Sequence, residues 1–453
     1  MNLRTLSFVL LLPCCSVVLA AVGPIAVGPI AVSSAQQHPP VPTPAPTPAA
    51  TPAATPVPTP APEAAAPAGN RRQQGQGPGQ QGPGRGEDRE LRELPAFTPQ
   101  AAPTLAALQG KQYFWFGMYP DFIVQYDPTT DAITKKVKLQ NGMFWSTTLT
   151  QDRKRLLVVT DQQRTIEVVD FAAGTVQSTH LFAEEGFILR IREVRELPGG
   201  VFWLVRTDRV KKQIDRYSFE ASQWLLYDSK EKKVTKKVAK LPDALDRGAQ
   251  LTPDGALWQS SDDDGNLLLL DGQKLTEVGR IDLKTPRFFG AGSIRLMGTD
   301  LLDRRDPNRM RMLFTSSDPV EKARTTWGVV ELDLQQRRIV DVQEFGPQVS
   351  AWGLRVATKK PVAAAMTGNW GGGSDSDPKS RLFLYDLRTG QKIVEAYEEF
   401  RPRRSLVAIS PDGDKVYIGT AGSDFEVFDS NLKRLKTVEL EGEIWGRIFV
   451  IDG

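Results

Sequence analysis

Residues 409–429, ISPDGDKVYIGTAGSDFEVFD, contain the pattern that decides the fold. A Ser-Pro-Asp-Gly turn leads into a short apolar strand, and a second strand of alternating apolar residues then ends in aspartate. Proline restricts one backbone angle and glycine tolerates a positive φ, so the Pro-Asp-Gly part of this turn is typical of a tight connection between antiparallel strands. The stretch therefore predicts paired strands that are joined by short turns.

The second strand of this stretch occurs seven times, and each copy ends in aspartate. The copies are FIVQYD to Asp127, TIEVVD to Asp170, WLLYD to Asp228, LLLLD to Asp271, VVELD to Asp333, LFLYD to Asp386 and FEVFD to Asp429. Successive aspartates lie 43, 58, 43, 62, 53 and 43 residues apart. Such a spacing is typical of four-stranded propeller blades. The sequence predicts an all-β fold, a seven-bladed β-propeller whose blades run from an inner strand A to an outer strand D.

The first blade lacks its strand A, because the chain enters it at KQYFWFGMY, which matches the B strands of later blades. After the seventh D strand, EIWGRIFVI remains and matches the A strand SAWGLRV. We expect residues 443–450 to pair with residues 111–118 and to close the ring, with Trp445 near the central channel. A closed ring leaves no open sheet edge.

The N-terminal region is different in composition. Residues 1–35 contain Arg4 followed by a long apolar run, which predicts an export signal or an uncleaved N-terminal anchor, with a lipoprotein as a third alternative. Residues 36–103 are rich in Pro and Ala, then in Gly and Gln, and predict a disordered linker that folding does not require. Residues 104–453 form the predicted propeller. We expect an exported bacterial protein, periplasmic, on the cell surface or secreted, that contacts a membrane only if the N-terminal segment is uncleaved.

Composition excludes several classes of function. The chain has 57 Lys+Arg against 54 Asp+Glu, a net charge of +3, which argues against nucleic-acid binding. The only cysteines are Cys14 and Cys15, and the only histidines are His38 and His180. Cysteine-ligated zinc, iron–sulfur clusters, covalently attached haem, a cysteine nucleophile and multi-histidine metal sites are therefore excluded from the predicted propeller. We predict no cofactor and no catalytic residue.

Two segments resemble a known family. The Ser-Pro-Asp-Gly turn, with the B strand and the aspartate-ending C strand that follow it, is similar to exported bacterial propellers of the YVTN class. The two segments are MLFTSSDPVEKARTTWGVVELDLQQRRIV (residues 312–340) and SRLFLYDLRTGQ (residues 380–391) onward to KTVEL. More specifically, they resemble the propeller (β) chain of quinoprotein and quinohaemoprotein amine dehydrogenases. In that family the propeller chain holds a small Cys-rich subunit that bears a tryptophan-derived quinone. The resemblance implies a structural chain, and no cofactor-bearing motif of the family is present here.

Loop length separates the two faces of the predicted ring. The B–C and D–A loops emerge together, and the long ones, such as residues 207–222, 316–326 and 367–380, define what we call the long-loop face. Loops on a rigid frame tolerate variation and often bind partners. The candidate binding residues at its channel mouth are Asn141, Glu185, Asp246, Arg247, Arg287, Trp352, Arg403, Arg404 and Trp445. Alternatively, the arginines are solvated rim charges and the tryptophans fill gaps between blades.

Other candidates are weaker. Asp262 and Asp264, and Asp375 and Asp377, place oxygen ligands in loops where calcium could bind. Neither loop has the twelve-residue spacing of an EF-hand, and solvated turns are the favoured interpretation. Trp115, Trp203 and Trp258 are predicted to occupy one equivalent core position on B strands. His180 is predicted on an outer D strand, where a Ser-His-Asp triad would need a serine on the outer wall.

Two functions follow from these observations. The leading hypothesis is a non-catalytic scaffold that binds a protein or peptide partner through the long-loop face. The alternative is a propeller hydrolase or lactonase that uses channel carboxylates, of which Glu185 and Asp246 are candidates, with or without calcium.

Overall fold

The computed structural model describes residues 90–97, 110–142, 145–246, 248–297, 306–322, 324–347, 351–367, 380–398, 406–419 and 423–453. In this part of the chain, seven antiparallel sheets form the blades of a propeller, which confirms the predicted fold. Six sheets have four strands, and the third carries one additional short strand. No helix among the described residues is long and apolar enough to cross a membrane.

The strands are numbered along the chain. Blade 1 contains β1 (Gln112–Met118), β2 (Phe122–Asp127), β3 (Ala132–Lys138) and, innermost, β29 (Ile444–Asp452). Blade 2 contains β4 (Ser146–Leu149), β5 (Arg155–Thr160), β6 (Thr165–Asp170) and β7 (Thr175–Leu181). Blade 3 contains β8 (Ile188–Glu196), β9 (Phe202–Lys212), β11 (Gln223–Asp228) and β12 (Lys233–Val238), and β10 (Tyr217–Phe219) extends it.

Blade 4 contains β13 (Gln250–Leu251), β14 (Leu257–Ser261), β15 (Leu267–Asp271) and β16 (Glu277–Ile281). Blade 5 contains β17 (Arg295–Met297), β18 (Arg309–Ser317), β19 (Thr325–Asp333) and β20 (Arg338–Pro347). Blade 6 contains β21 (Ala351–Val356), β22 (Val362–Thr367), β23 (Ser380–Asp386) and β24 (Lys392–Glu398). Blade 7 contains β25 (Leu406–Ile409), β26 (Lys415–Gly419), β27 (Asp424–Asp429) and β28 (Arg434–Glu439). A helix, α1 (Asp243–Asp246), and a 3₁₀ turn, Asp161–Gln163, complete the described elements.

The C-terminal strand closes the ring, as predicted. Strand β29 pairs antiparallel with β1, from Gln112 opposite Asp452 to Met118 opposite Ile444. The Gln112 Nε2 group also donates a 2.7 Å hydrogen bond to Asp452 Oδ1. Blade 1 is therefore built from both ends of the propeller sequence.

The repeated aspartate has a structural role in every blade. Each of the seven aspartates accepts a backbone N–H hydrogen bond of 2.7–3.0 Å from the turn between strands C and D. A register shift interrupts the C–D pairing just before the aspartate in all seven blades. Because a bulge increases strand twist, it helps the outer strand D follow the twist of the blade. The carboxylate then satisfies turn N–H groups that the sheet leaves unpaired.

The core is a ring of seven apolar clusters, each of which joins two neighbouring blades. Trp115, Trp203 and Trp258 are all buried within these clusters, as predicted. The prediction of one equivalent position is wrong for Trp115, however. Trp203 pairs with the residue directly before its blade's aspartate, whereas Trp115 pairs with Gln125, two residues before Asp127. The sequence alignment was wrong by one residue because QYFWF contains four consecutive aromatic residues, Tyr113 to Phe116.

A short segment before the propeller packs on its outside. Leu91 and Leu94 are 1% and 2% exposed and belong to the cluster between blades 3 and 4. The backbone N–H of Leu91 donates to Lys240 O at 3.3 Å, and that of Leu94 donates to Gln273 O at 3.0 Å. Residues 90–97 thus contribute to the core, although the sequence boundary at 103/104 assigned them to a linker that folding does not require. The sequence does contain a pattern that indicates this packing: in Arg-Glu-Leu-Arg-Glu-Leu (residues 89–94) two leucines lie three residues apart.

Candidate functional site

The long-loop face carries a hairpin that extends beyond the ring. Strand β9 continues past its pairing with β11, and β10 pairs with this extension, Tyr217 opposite Lys212 and Phe219 opposite Val210. The hairpin is closed by a 2.8 Å hydrogen bond from the Gln213 N–H to Arg216 O. The sequence predicted only a long loop here, because residues 207–222 lack a clear alternation of apolar and polar residues.

A network of charged groups fixes the base of this hairpin. The Arg209 guanidinium lies 3.0 Å from Glu184 Oε1 and 2.7 Å from Glu220 Oε2, and it stacks 3.8 Å from the ring centre of Phe187. Partial burial would raise the pKa of Glu184, but hydrogen bonds from Lys237, Arg209 and Gln223 hold that pKa below its usual range. Glu184 is therefore ionised at neutral pH, and its ion pair with Arg209 holds the base of the hairpin in place.

Exposed apolar side chains are concentrated on the same face. Of the fifteen large exposed apolar or aromatic side chains in the described residues, nine belong to B–C loops, D–A loops or the strand ends that adjoin them. These nine are Tyr119, Trp145, Leu181, Ile214, Tyr217, Phe219, Phe289, Val320 and Trp445. Ile214, Phe289 and Val320 are the most exposed, at 108%, 102% and 88%. A large exposed apolar surface on one face is typical of a protein-interaction site.

Two predicted site residues are engaged in structural contacts. The Asn141 side-chain amide donates a 3.0 Å hydrogen bond to Glu167 Oε1, and its backbone N–H donates to the same oxygen at 2.8 Å. Glu167 is fully buried and fixes the loop between blades 1 and 2. Asp246 Oδ1 accepts a 2.9 Å hydrogen bond from Nε1 of the buried Trp224.

The remaining predicted mouth residues are dispersed. Glu185 and Arg287 are exposed, and Arg287 Nη2 donates to Asp282 O at 3.3 Å. Trp445 is 46% exposed near the start of β29. Trp352 lies in β21, opposite Met366, and only its backbone is described. Arg247, Arg403 and Arg404 lie outside the described residues.

The first of the two calcium candidates forms a charged turn. Asp262 accepts hydrogen bonds from the Asn266 N–H at 2.8 Å and from Arg280 Nη1 at 2.8 Å, and Asp264 lies 3.1 Å from Lys284 Nζ. The described residues contain no group of three or more His, Cys, Asp or Glu that could hold a metal ion. Asp375 and Asp377 lie outside them.

His180 lies on β7, the D strand of blade 2, and is buried. Its Nε2 lies 2.9 Å from Ser178 Oγ and its Nδ1 lies 3.1 Å from the Tyr227 hydroxyl. The outer-wall serine that a triad would need is thus present, but a phenol occupies the position of the orienting carboxylate. Burial, with a contribution from Lys232, lowers the pKa of His180 to about 4, so the imidazole is neutral at pH 7.

Comparison with known proteins gives similarities in structure alone. No family model matches the chain, and no curated protein matches it. Among solved structures, the chain is similar to dihydro-heme d1 dehydrogenase NirN in complex with DHE, at 14% identity and a TM-score of 0.43, over 81% of this chain and 79% of that one. It is also similar to a functionally unknown protein from Desulfotomaculum acetoxidans (13%, TM-score 0.42) and to apo AztD from Citrobacter koseri (11%, TM-score 0.42), each over 75% of this chain and 98% of the other. Similarities this low carry no argument about function.

Proposed function

We propose that the protein is an exported, non-catalytic propeller that binds a protein or peptide partner through its long-loop face. The observation that carries the proposal is the concentration of exposed apolar side chains on that face, with the braced hairpin of blade 3 as its most prominent part. Burial of such side chains supplies most of the favourable free energy in protein association.

The hairpin combines features that favour binding. Ile214, Tyr217 and Phe219 are more than half exposed, and Lys211 and Arg216 lie among them. Aromatic residues and arginine are enriched at binding hot spots. The Glu184–Arg209–Glu220 network holds the hairpin before a partner arrives, so less conformational entropy is lost on binding.

A more specific form of the proposal follows from the family resemblance. Residues 312–340 and 380–391 resemble the propeller chain of amine dehydrogenases. The first arrangement to test is therefore one in which this protein is the structural chain of such a complex and the partner is a smaller subunit. Most of β18, all of β19 and their connecting loop belong to the first of these segments. Asp318 in that loop accepts hydrogen bonds from the N–H groups of Val320 and Glu321, at 2.8 and 3.0 Å, and presents Val320 to solvent.

The test is affinity capture from a native extract with three forms of the protein. The face variant carries Ile214→Ser, Tyr217→Ser and Phe219→Ser. The control variant carries Val234→Ser, Ile393→Ser and Leu435→Ser, which remove exposed apolar side chains from three D strands. We expect all three forms to melt alike, and a partner to be captured by the wild type and the control but not by the face variant. Equal capture by the face variant, or loss of capture by the control alone, would contradict the proposal.

A further inference from the structure

A cavity of about 410 Å³ lies in the central channel at the end opposite the long-loop face. Its walls come from the A strands β29, β4, β8 and β13 of four successive blades and from the A–B turns that follow β4 and β13. This volume is within the usual range for small-molecule sites. None of the channel-mouth residues predicted from the sequence contributes to it.

Three arginines from three blades line this cavity: Arg447 from blade 1, Arg153 from blade 2 and Arg195 from blade 3. Arg153 Nη2 donates a 2.7 Å hydrogen bond to Val450 O, so its guanidinium is held across the boundary of blades 1 and 2. Arg447 lies 5.6 Å from the ring centre of Phe449. Contacts with β29 therefore help to position the guanidinium groups of Arg153 and Arg447.

The Arg195 side chain is largely buried, with 11% of it exposed. It pairs with Glu193, donates to Leu245 O at 3.1 Å and stacks 5.0 Å from the ring centre of Trp224. Its Nη2 is buried without an acceptor among the described residues. A buried donor without an acceptor is costly.

A β-bulge brings Arg447 to the cavity. The pairing of β29 with β1 shifts register between Trp115 and Gly117, so that Gly446, Arg447 and Ile448 together face a single residue of β1. Gly446 has a φ of 81°, which glycine adopts easily. Bulges commonly redirect a side chain next to a functional site.

Glu196 is unusual for its position in the blade. It pairs with Trp203 at the end of strand A, where the register places Leu149, Leu251, Val356, Ile409 and Val450 in five other blades. A buried carboxylate thus lines the cavity where the repeat otherwise has an aliphatic residue. Departures from the repeat pattern of this kind are expected at functional sites.

We propose that this cavity binds a small organic carboxylate. Guanidinium groups match the planar geometry of a carboxylate, and the half-buried Leu149, which packs against the cluster that contains Phe449, gives the cavity an apolar wall for the rest of the ligand. The two glutamates in the lining, Glu193 and Glu196, offset most of the charge of the three arginines when ionised. The small remaining positive charge favours a carboxylate over a multiply charged phosphate.

Charged groups around Glu196 make binding depend on pH. Arg155 and Asp152 face it from blade 2, Glu193 and Arg195 lie on its own strand, and Arg153 and Arg447 lie across the cavity. Burial raises the pKa of Glu196 to about 7, an effect that the Gln151 N–H and Arg155 partly offset. Above that pH its negative charge repels a bound carboxylate, so affinity falls as pH rises from 6 to 8.

The test uses the full chain without a partner and titrates acetate, phenylacetate, indole-3-acetate and succinate by calorimetry and ligand-detected NMR. Inorganic phosphate and the neutral 2-phenylethanol are the comparison probes. We expect at least one carboxylate to bind at millimolar concentration or tighter, and Arg447→Gln to weaken it about tenfold, since a charged hydrogen bond is lost. Arg388→Gln, which changes an exposed arginine on the outer part of blade 6, should leave binding unchanged.

Glu196→Gln provides a second variant, which should bind at pH 8 as tightly as the wild type does at pH 6. The proposal is overturned if no carboxylate binds, if phosphate or 2-phenylethanol binds equally well, or if Arg388→Gln weakens binding as much as Arg447→Gln. Because no partner protein is present, this test is independent of the capture experiment on the long-loop face.

Discussion

Blade 3 and blade 7 are built on the same repeat but differ in strand A and in the connection between strands B and C. Blade 7 has the Ser410-Pro411-Asp412-Gly413 turn, an aliphatic strand A and Ile409 at its end. Blade 3 has a strand A rich in arginine and glutamate, Glu196 in place of that isoleucine, and a B–C hairpin that extends beyond the ring. Blade 7 shows what the repeated blade structure demands, and blade 3 shows where the same structure carries additional chemical groups.

The A–B turns illustrate this difference in detail. In blades 4 and 7 the second turn residue is Pro253 or Pro411, which has no N–H to satisfy. In blade 2 that residue is Gln151, and its N–H donates a 2.7 Å hydrogen bond to Glu196 Oε2 of blade 3. The backbone N–H that proline lacks is thus present at Gln151, and its hydrogen bond to Glu196 links blades 2 and 3.

The largest effect on folding should come from removing the strand that closes the ring. Truncation after Leu440 removes β29 and leaves blade 1 without its inner strand. Ile444, Ile448, Phe449 and Ile451 then leave the core clusters on both sides of blade 1. We expect soluble folded protein to be lost, as judged by gel filtration and circular dichroism. A truncated chain that melts like the full one would contradict the closed ring.

The second effect tests the outer side of blades 3 and 4. Changing Leu91→Ala and Leu94→Ala should reduce the free energy of unfolding by about 2 kcal/mol or more for each residue, the usual cost for a buried leucine. Leu435→Ala, at a residue that is 52% exposed on blade 7, is the matched control and should change little. Denaturant unfolding measures both. Equal stabilities would show that residues 90–97 do not pack on the propeller in solution.

The third effect concerns Glu196, whose pKa is about 7 in the folded chain against 4.5 as its ordinary value. The folded state therefore binds more protons than the unfolded state between these two values, so stability decreases as pH rises from 4.5 to 7. The loss amounts to at most about 3 kcal/mol. Glu196→Gln should remove this contribution and be more stable than the wild type at pH 8 but not at pH 4.5. Parallel stability profiles of the two proteins between pH 4.5 and 8 would contradict the assignment.

The smallest effect tests the regular turn of blade 7. Ser410 Oγ donates to Asp412 Oδ1 at 2.6 Å and accepts from the Lys415 N–H at 2.9 Å. Ser410→Ala should cost about 1 kcal/mol, since both hydrogen bonds of a buried hydroxyl are lost. Blade 3 has Leu197-Pro198-Gly199-Gly200 at this turn and lacks the hydroxyl altogether. Thermal unfolding measures the loss of stability in Ser410→Ala. A loss much larger than about 1 kcal/mol would contradict this prediction.

The regular features could be predicted from the sequence because a repeat averages out local ambiguity. The aspartate at the end of strand C recurs in all seven blades, and the closure by residues 443–450 was predicted because that segment matches strand A of blade 6. The channel cavity was missed because its arginines are far apart in the sequence and meet only through the ring. The channel-mouth candidates Asn141 and Asp246 have structural partners, Glu167 and Trp224, that lie 26 and 22 residues away in the sequence. Contacts between side chains of different blades depend on how the ring folds, so they leave no pattern in the local sequence.

The pairing of β29 with β1 also has a consequence for how the chain folds during synthesis. Gln112 and Asp452, which hydrogen-bond to each other, are separated by 340 positions. Strand β1 therefore emerges with one edge unpaired and stays so until β29 has been made. An unpaired edge is a template for aggregation, and contacts between distant residues form slowly because loop closure is costly. We expect the vulnerable period of folding to end when the last strand joins blade 1, and a chaperone that protects this protein would need to act on β1 until then.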